Sequence, residues 1–243
     1  LAGLLLVHTR LSIRDLSLLG AQPMASGDGR FVISYNGELY GLQDLRADLA
    51  TQGHAFHGKS DTEVLIECVA RYGVVGAAKR VAGIFAFAIW DRRERQLWLV
   101  RDRSGVKPLY VAHSIRGRAV AFASELAALE ALSGVQHTPC VQAARAFFEL
   151  GYVPDTSAIL EGVTKVQPGE AWCFTSAGGI PRVFTYFDRV ASVRRTEGDC
   201  VRDVPSAKRA LTTALDAAVD RQLVSDVPVG VFLSGGIDST IVA

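Results

Sequence analysis

The stretch FVISYNGELY, residues 31–40, decides the fold, because it places a polar tripeptide inside a run with strand composition. The strand formers are Phe31, Val32, Ile33 and Tyr35. Asn-Gly between apolar residues is by default a hairpin turn. In the alternative interpretation the Asn36 side-chain N–H and the Gly37 backbone N–H form an oxyanion hole, with Glu38 beside the pocket. These residues by themselves leave both interpretations open.

Two helices are predicted directly after this stretch. Residues 42–53 carry leucines at helical spacing, with Gly53 as a stop signal. Residues 61–72 repeat the helical pattern, and Ser60 lies three residues before Glu63, which is the spacing of a capping box with Ser60 as N-cap.

Two hairpins are predicted further along the chain. The segments 83–91 and 95–103 form the first, and because nearly every position is apolar, both faces are expected to be covered. The segments 108–113 and 119–124 form the second. A helix beginning at Ser124 or Glu125, another over 141–150 and short strands over 164–187 are expected to follow.

The outer segments complete the predicted organisation. The opening LAGLLLV, residues 1–7, is interpreted as a buried strand. Residues 1–190 are assigned to a first domain, and the polar stretch 191–205 to a linker. A second domain would begin over 206–243, with an amphipathic helix over 206–224 and a strand over VPVGVFL, residues 227–233.

Composition excludes several classes of protein. The 243 residues are 49 % hydrophobic and 21 % charged, as in soluble globular proteins, and the net charge of +1 favours neither nucleic acid nor an anionic membrane as partner. No apolar run is long enough to cross a bilayer. The four cysteines form no CxxC pair, which argues against a disulfide framework or zinc site and suits the reducing cytoplasm, where we expect the protein.

The sharpest motif is SGGIDS, which follows the predicted strand 227–233. Adjacent glycines allow a tight turn, and the amides that open the next helix favour an anion. Asp238 could hold Mg²⁺ beside a phosphate. The motif has no lysine and is not a Walker A loop. It resembles the pyrophosphate loop of ATP pyrophosphatases, which cleave ATP to AMP and pyrophosphate.

Three other features each allow a structural and a functional interpretation. Arg10, in HTRLSIRD, suits bidentate recognition of a carboxylate, but it could equally be a surface arginine. Asp61, in GKSDTEV, could bind a substrate ammonium or merely complement a helix dipole. His54 and His57 have the spacing of a metal-ligand pair, but without a third ligand nearby a loop position is the favoured interpretation.

Taken in order, RLSI, NGE, SDTEV, GIFAFAIWD, RDRSGVKPLY and SGGIDS resemble the glutamine-dependent asparagine synthetases over essentially the whole chain. The resemblance implies an α+β fold. It comprises an N-terminal-nucleophile αββα sandwich, the class II glutamine amidotransferase domain, followed by the first elements of an α/β ATP-pyrophosphatase domain.

The resemblance also implies roles for individual residues. Arg10 would bind the glutamine α-carboxylate, and Asn36 and Gly37 would form the oxyanion hole. Glu38 and Asp61 would hold the α-amino group. The main chain beside Arg10 would assist through Leu11, Ser12, Ile13 and Arg14. The ATP-binding residues would be Leu233, Ser234, Gly235, Gly236, Ile237, Asp238 and Ser239, with Leu233 near the adenosine and Asp238 on Mg²⁺.

The implied reaction uses glutamine, ATP and aspartate or a similar carboxylate acceptor, with Mg²⁺ and no prosthetic group. Glutamine yields ammonia, ATP adenylates the acceptor, and ammonia attacks to form an amide, as in asparagine biosynthesis. One alternative is a β-lactam synthetase-like cyclase without glutaminase activity. Another is a non-enzymatic domain that binds glutamine or nucleotide. The sequence leaves open whether the protein forms a homodimer.

The nucleophile of the resembled family is a cysteine at the mature N-terminus, with its own α-amine as base. No such residue is present here, and Cys68, on the apolar face of a predicted helix, is interpreted as a packed thiol. We therefore expect a fragment truncated at both ends, inactive by itself, whose function belongs to the full-length enzyme.

Overall fold

The structure, a computed structural model, describes residues 3–10, 15, 17–115, 119–175, 179–195, 203–223 and 228–243. The strands are β1 Met24–Ala25, β2 Phe31–Tyr40, β3 Ala82–Asp91, β4 Gln96–Arg101, β5 Tyr110–Ile115, β6 Ala119–Ala123, β7 Val163–Lys165, β8 Glu170–Phe174 and β9 Arg182–Thr185. The helices are α1 Gln43–Thr51, α2 Asp61–Arg80, α3 Leu126–Glu130, α4 Val141–Leu150, α5 Arg189–Arg195, α6 Val204–Gln222 and α7 Ile237–Val242, with a short 3-10 helix at Leu18–Gly20.

Two antiparallel sheets form the centre of the fold. The larger has the strand order β1-β2-β3-β4-β8-β9, and the smaller has the order β6-β5-β7. Both predicted hairpins are confirmed, as β3–β4 and β5–β6. The hairpin expected by default at Asn-Gly is wrong, because Asn36 and Gly37 lie inside the continuous strand β2, opposite Ala86 and Phe85.

Alternation along β3 explains why nearly every position is apolar. Phe85, Phe87 and Ile89 face the core that the larger sheet shares with α1 and α2. Ala86 and Ala88 face a second core, shared with the smaller sheet. On the outer side of the smaller sheet, α3 packs against a third core. The layers therefore run helix, sheet, sheet, helix, as predicted for an αββα sandwich.

The helix after residue 60 begins as the sequence predicts. Ser60 is its N-cap, and its hydroxyl accepts from the Glu63 N–H at 3.3 Å. The capping box is incomplete, because the Glu63 carboxylate accepts from the N–H groups of His57 and Gly58. The helix extends beyond the predicted residue 72 to Arg80, through a kink at Gly73, where φ is 71°.

Two predictions for the outer segments need correction. Residues 3–10 form no strand, and Leu5 is 81 % exposed, since no described strand lies beside them to supply hydrogen bonds. The predicted strand 227–233 is likewise absent over the described residues 228–233, where Phe232 is 99 % exposed. Helix α5 extends into the segment 191–205, whose role as a linker stays a prediction.

The amphipathic helix predicted over 206–224 is confirmed as α6, although none of its residues is buried. The division of the chain into two domains stays a prediction. In the part of the chain that the structure describes, no helix is long and apolar enough to span a membrane.

Candidate functional site

The site is built around Gly37, whose backbone N–H points out of the sheet edge. The Phe85 N–H donates to the Asp102 carboxylate at 3.1 Å, and the Phe85 carbonyl accepts from the Asp102 N–H at 2.8 Å. Both backbone groups of Phe85 therefore point toward β4 and away from Gly37. In an antiparallel ladder, directly opposite residues alternate between hydrogen-bonded and non-hydrogen-bonded pairs. Because Phe85 bonds toward β4, Gly37 and Phe85 form a non-hydrogen-bonded pair. The N–H of Gly37 is directed to the opposite side of β2.

The neighbouring residues of β2 confirm this direction. The Tyr35 N–H donates to Gln22 Oε1 at 2.6 Å, and Gln22 Nε2 donates to the Tyr35 carbonyl at 3.1 Å. The Leu39 N–H donates to Asp61 Oδ2 at 3.0 Å. Strand β1 pairs only with residues 32 and 33 of β2. The edge at Gly37 thus opens between a side-chain amide and a carboxylate.

Asn36 presents its side chain on the face of β2 toward the smaller sheet. Its Nδ2 donates to Ser124 Oγ at 3.2 Å, just beyond the end of β6. A primary amide has two N–H bonds, so one is used by Ser124 and the other can serve a ligand. Asn36 and Gly37 thus combine a side-chain and a backbone donor at adjacent positions, as an oxyanion hole requires.

Asp61 fixes the first turn of α2 to β2. Its Oδ2 accepts from the Tyr35 hydroxyl at 2.8 Å and from the Leu39 N–H at 3.0 Å. No donor among the described residues lies within hydrogen-bond distance of Oδ1. The residue is buried, so a free carboxylate oxygen here favours a cationic ligand group. The Asp61 carboxylate can therefore complement the helix dipole and bind a ligand at the same time.

Arg10 is tied to the loop that precedes Asp61. Its guanidinium donates to the Ser17 carbonyl at 2.8 Å and to the Asp15 carbonyl. Asp15 Oδ2 accepts from the Lys59 N–H at 2.8 Å. The Ser17 hydroxyl and the Lys59 N–H hold the pKa of Asp15 below its usual value. The predicted contributors Leu11, Ser12, Ile13 and Arg14 lie outside the described residues.

The remaining predicted glutamine-binding residue, Glu38, is half-buried on β2, two positions beyond Asn36 and therefore on the same face. Asp61 contacts the strand from the helix side, through Tyr35 and Leu39. The structure therefore brings Asn36, Gly37, Glu38 and Asp61 to one short segment of β2.

The SGGIDS motif forms a turn into α7. Gly235 has φ +79°, a conformation that favours glycine, and Gly236 caps the helix. The hydroxyls of Ser234 and Ser239 lie 3.0 Å apart, and the Ser239 hydroxyl donates to the Gly236 carbonyl at 3.1 Å. Leu233 and Ile237 are exposed on either side.

Asp238 lies in the first turn of α7. A lone carboxylate with nearby hydroxyls fits Mg²⁺ that also takes phosphate oxygens, rather than an all-protein site. In the described residues no group of three or more His, Cys, Asp or Glu side chains could hold a metal ion.

Two of the described cysteines, Cys68 and Cys173, are too buried to supply a nucleophile at this site. Cys68 is fully buried in the core beneath α2, and burial raises the pKa of its thiol to about 12. Cys173 is also buried, and burial raises the pKa of its thiol. The prediction that Cys68 is a packed thiol is confirmed. Cys200 lies outside the described residues.

The histidine pair lies against acidic side chains. His54 Nδ1 is 3.3 Å from Glu67 Oε2, and His57 Nδ1 is 3.4 Å from Glu63 Oε1. These pairs fasten the loop that leads into α2, in agreement with the loop position predicted from the sequence.

Three residues with structural roles at the site were missed from the sequence: Gln22, Asp102 and Ser124. Gln22 and Ser124 bind β2 from remote segments, which no local pattern indicates. Asp102 accepts from four backbone N–H groups, those of Phe85, Ser104, Val106 and Lys107. The sequence RDRSGVKPLY places charged residues at the end of an apolar strand, but it does not indicate that one of them binds backbone donors.

Comparison with known families now adds to this geometry. The glutamine amidotransferase domain family matches residues 2–185, about three quarters of the chain, and the asparagine synthase family matches residues 210–243. The chain therefore belongs to the glutamine amidotransferase domain family. Its second matched segment makes it asparagine synthetase-like, as the sequence motifs predict.

Curated relatives agree over nearly the full length of the chain. Glutamine-hydrolyzing asparagine synthetases 3 and 1 of Bacillus subtilis (strain 168) are 38 % and 35 % identical to it, each over 97 % of this chain. Amidase chry2 of Gibberella zeae is 35 % identical over 97 % of this chain. The chain spans only 37 %, 36 % and 34 % of those three proteins, about a third of their length.

A solved structure supports the fold. Glutamine phosphoribosylpyrophosphate amidotransferase from B. subtilis, complexed with ADP and GMP, superposes with a TM-score of 0.52 at 22 % identity. The match covers 74 % of this chain and 34 % of that one. At this identity the likeness concerns the fold, and it supports the predicted α+β sandwich.

Proposed function

We propose that the chain carries the glutaminase site of a glutamine-dependent, ATP-consuming ligase that forms an amide on aspartate or a similar carboxylate. The observation that carries the proposal is the outward N–H of Gly37 beside the Asn36 amide and the Asp61 carboxylate. Paired donors of this kind stabilise the oxyanion that forms when a nucleophile attacks a carboxamide.

In the glutaminase half, Arg10 binds the α-carboxylate of glutamine, while Asp61 and Glu38 hold its α-ammonium group. The bond between Asp15 and the Lys59 N–H supports this assignment, because it ties the Arg10 segment to the loop before Asp61. Binding both charged groups on the α-carbon leaves the side-chain carboxamide to extend toward Asn36 and Gly37. The nucleophile is the N-terminal cysteine that the family resemblance implies.

In the ligase half, Ser234 to Ser239 bind the phosphates of ATP, with Leu233 near the adenosine and Asp238 on Mg²⁺. The acceptor carboxylate attacks the α-phosphate and displaces pyrophosphate, which leaves an acyl-adenylate. Ammonia from the glutaminase half then attacks the acyl carbon, forming the amide and releasing AMP. The match to the asparagine synthase family over 210–243 supports this assignment.

The activity belongs to a longer protein, since the chain spans about a third of its curated relatives. Two of those relatives are named as asparagine synthetases and one as an amidase, which is why we propose aspartate or a similar carboxylate as acceptor. A cytoplasmic location stays a prediction.

The deciding experiment is N-terminal sequencing of the naturally processed full-length protein, combined with a glutaminase assay. We expect cysteine as the first residue and glutamine hydrolysis that is lost when this cysteine is replaced by alanine. A different first residue, with no hydrolysis, would contradict the glutaminase assignment and favour an ATP-dependent cyclase that uses another amine.

A further inference from the structure

Ser124 is the residue that holds the side chain of Asn36. It lies between the end of β6 and the start of α3, 88 residues away in sequence, and its Oγ accepts from Asn36 Nδ2 at 3.2 Å. Strand β2 belongs to the larger sheet and β6 to the smaller one. The bond therefore crosses from one sheet to the other.

The Ser124 hydroxyl is held in place by the structure on both sides of it. The preceding residue, Ala123, pairs with Tyr110 of β5. After the serine, α3 is fastened by Leu129, which is fully buried in the third core. Because both flanks are fixed, the position of Ser124 Oγ relative to β2 is set by the packing of the two sheets.

An asparagine side chain on a strand can rotate about two bonds, and its N–H bonds point to a ligand in only some rotamers. Gly37 next to it donates through the backbone, and the ladder fixes that direction. Within the described part of the chain, the hydrogen bond to Ser124 is what constrains the Asn36 side chain. A donor contributes most to catalysis when it is already oriented before charge develops.

We propose that Ser124 is a positioning residue for the oxyanion hole: it orients the Asn36 amide so that its second N–H points at the developing oxyanion. The inference rests on the proposed glutaminase function. Ser124 does not touch glutamine and acts through Asn36. Its loss should therefore lower kcat and leave the KM for glutamine unchanged.

The test is a double-mutant cycle on glutamine hydrolysis by the full-length protein, with Ser124→Ala, Asn36→Ala and the two combined. We expect Ser124→Ala to lower kcat by about tenfold, since a small misplacement of a catalytic group has effects of this order. Asn36→Ala should lower kcat by roughly 10²–10³-fold, as for other oxyanion donors. The double variant should match Asn36→Ala, because Ser124 then has nothing left to orient.

Ser157→Ala is the matched control. Ser157 is also half-buried in a loop, but its hydroxyl contacts the Pro154 carbonyl at 3.5 Å and no residue of β2. The kcat of the Ser157→Ala variant should equal that of the unmodified protein. An unchanged kcat for Ser124→Ala, or an equal loss from Ser124→Ala in the Asn36→Ala background, overturns the proposal. Absence of hydrolysis in the unmodified protein overturns the proposed function, and the Ser124 role falls with it.

Discussion

Gly37 has no side chain, and this matters both for the packing of the sheet and for the site. A Cβ at this position would lie 2.7 Å from the Phe85 Cα, closer than real Cβ atoms approach other heavy atoms. The close approach of β2 and β3 at this non-hydrogen-bonded pair therefore requires glycine. The same pairing leaves the Gly37 N–H free for a ligand.

We predict that Gly37→Ala destabilises the protein by about 1–3 kcal/mol, the usual cost of overpacking, because β3 must shift. Urea unfolding of the variant measures this loss. Gly27→Ala is the control, since a Cβ there would meet only the far ends of the Glu67 and His54 side chains, the nearest at 3.5 Å. Equal stability of the two variants would contradict the packing argument.

The Asp15 carboxylate makes the stability of the folded protein depend on pH. Its pKa is lowered, first by the Ser17 hydroxyl and then by the Lys59 N–H, so folding favours its charged form. The corresponding stability is present above the usual pKa of 3.8 and is lost as pH falls through the lower folded value.

We therefore predict that Asp15→Asn lowers the free energy of unfolding at pH 7, and that the difference from the unmodified protein shrinks at a pH below the usual pKa of 3.8. Asparagine resembles the protonated carboxyl group, which is the reason for this convergence. Urea titrations at both pH values provide the measurement, and a difference that stays constant with pH would argue against the hydrogen-bonding role of the carboxylate.

At the scale of elements, α2 links stability to the site through its first turn. Ser60 caps the helix, and the next residue, Asp61, binds β2 on both sides of Gly37. Fraying of this turn would move the carboxylate that we assign to the glutamine ammonium.

We predict that Ser60→Ala costs about 1 kcal/mol of stability, as loss of an N-cap usually does, and also raises the KM for glutamine. Thermal unfolding and steady-state kinetics of the full-length protein test the two effects. Asp203→Ala removes the corresponding cap of α6, where the Asp203 carboxylate accepts from the Ser206 N–H, and should leave this KM unchanged. A raised KM for both variants would indicate a general loss of stability instead.

Helices and strands could be predicted where a local sequence pattern also has another element to pack against. The helical spacing after Ser60 and the apolar strands over 83–103 have described partners to pack against, and both predictions are confirmed. The same reasoning fails at residues 228–233, because an apolar segment becomes a strand only beside another strand. It also fails for Asn-Gly, where turn propensity is overridden by ten continuous pairs with β3.

At the scale of the whole molecule, Asp102 joins segments that lie far apart in sequence. Its carboxylate accepts from Phe85 of β3 and from three N–H groups of the loop 104–107. Its backbone carbonyl accepts from the Gly169 N–H at 2.9 Å, before β8. Sequence motifs placed this stretch in the glutaminase domain, but backbone donors carry no residue pattern, so the role of Asp102 could not be predicted.

We predict that Asp102→Ala destabilises the protein by about 3 kcal/mol or more, because four backbone N–H groups, one buried and three part-buried, lose their acceptor together. Asp188→Ala is the control, since the carboxylate of the exposed Asp188 accepts from a single backbone N–H among the described residues, that of Ala191 at 3.0 Å, and its loss should cost about 1 kcal/mol. Urea unfolding of both variants tests this, and similar losses would refute a special role for the buried carboxylate.

Among the described strands, only the short β1 lies along this edge of β2, and it pairs with just two of its residues, Val32 and Ile33. Exposed strand edges recruit other strands and promote edge-to-edge aggregation. Here the Gln22 amide occupies both backbone groups of Tyr35, and Asp61 occupies the N–H of Leu39. A foreign strand would have to displace both side chains to pair with this edge. The side chains on either side of Gly37 thus protect the edge against strand pairing and still leave one backbone donor accessible to a small ligand.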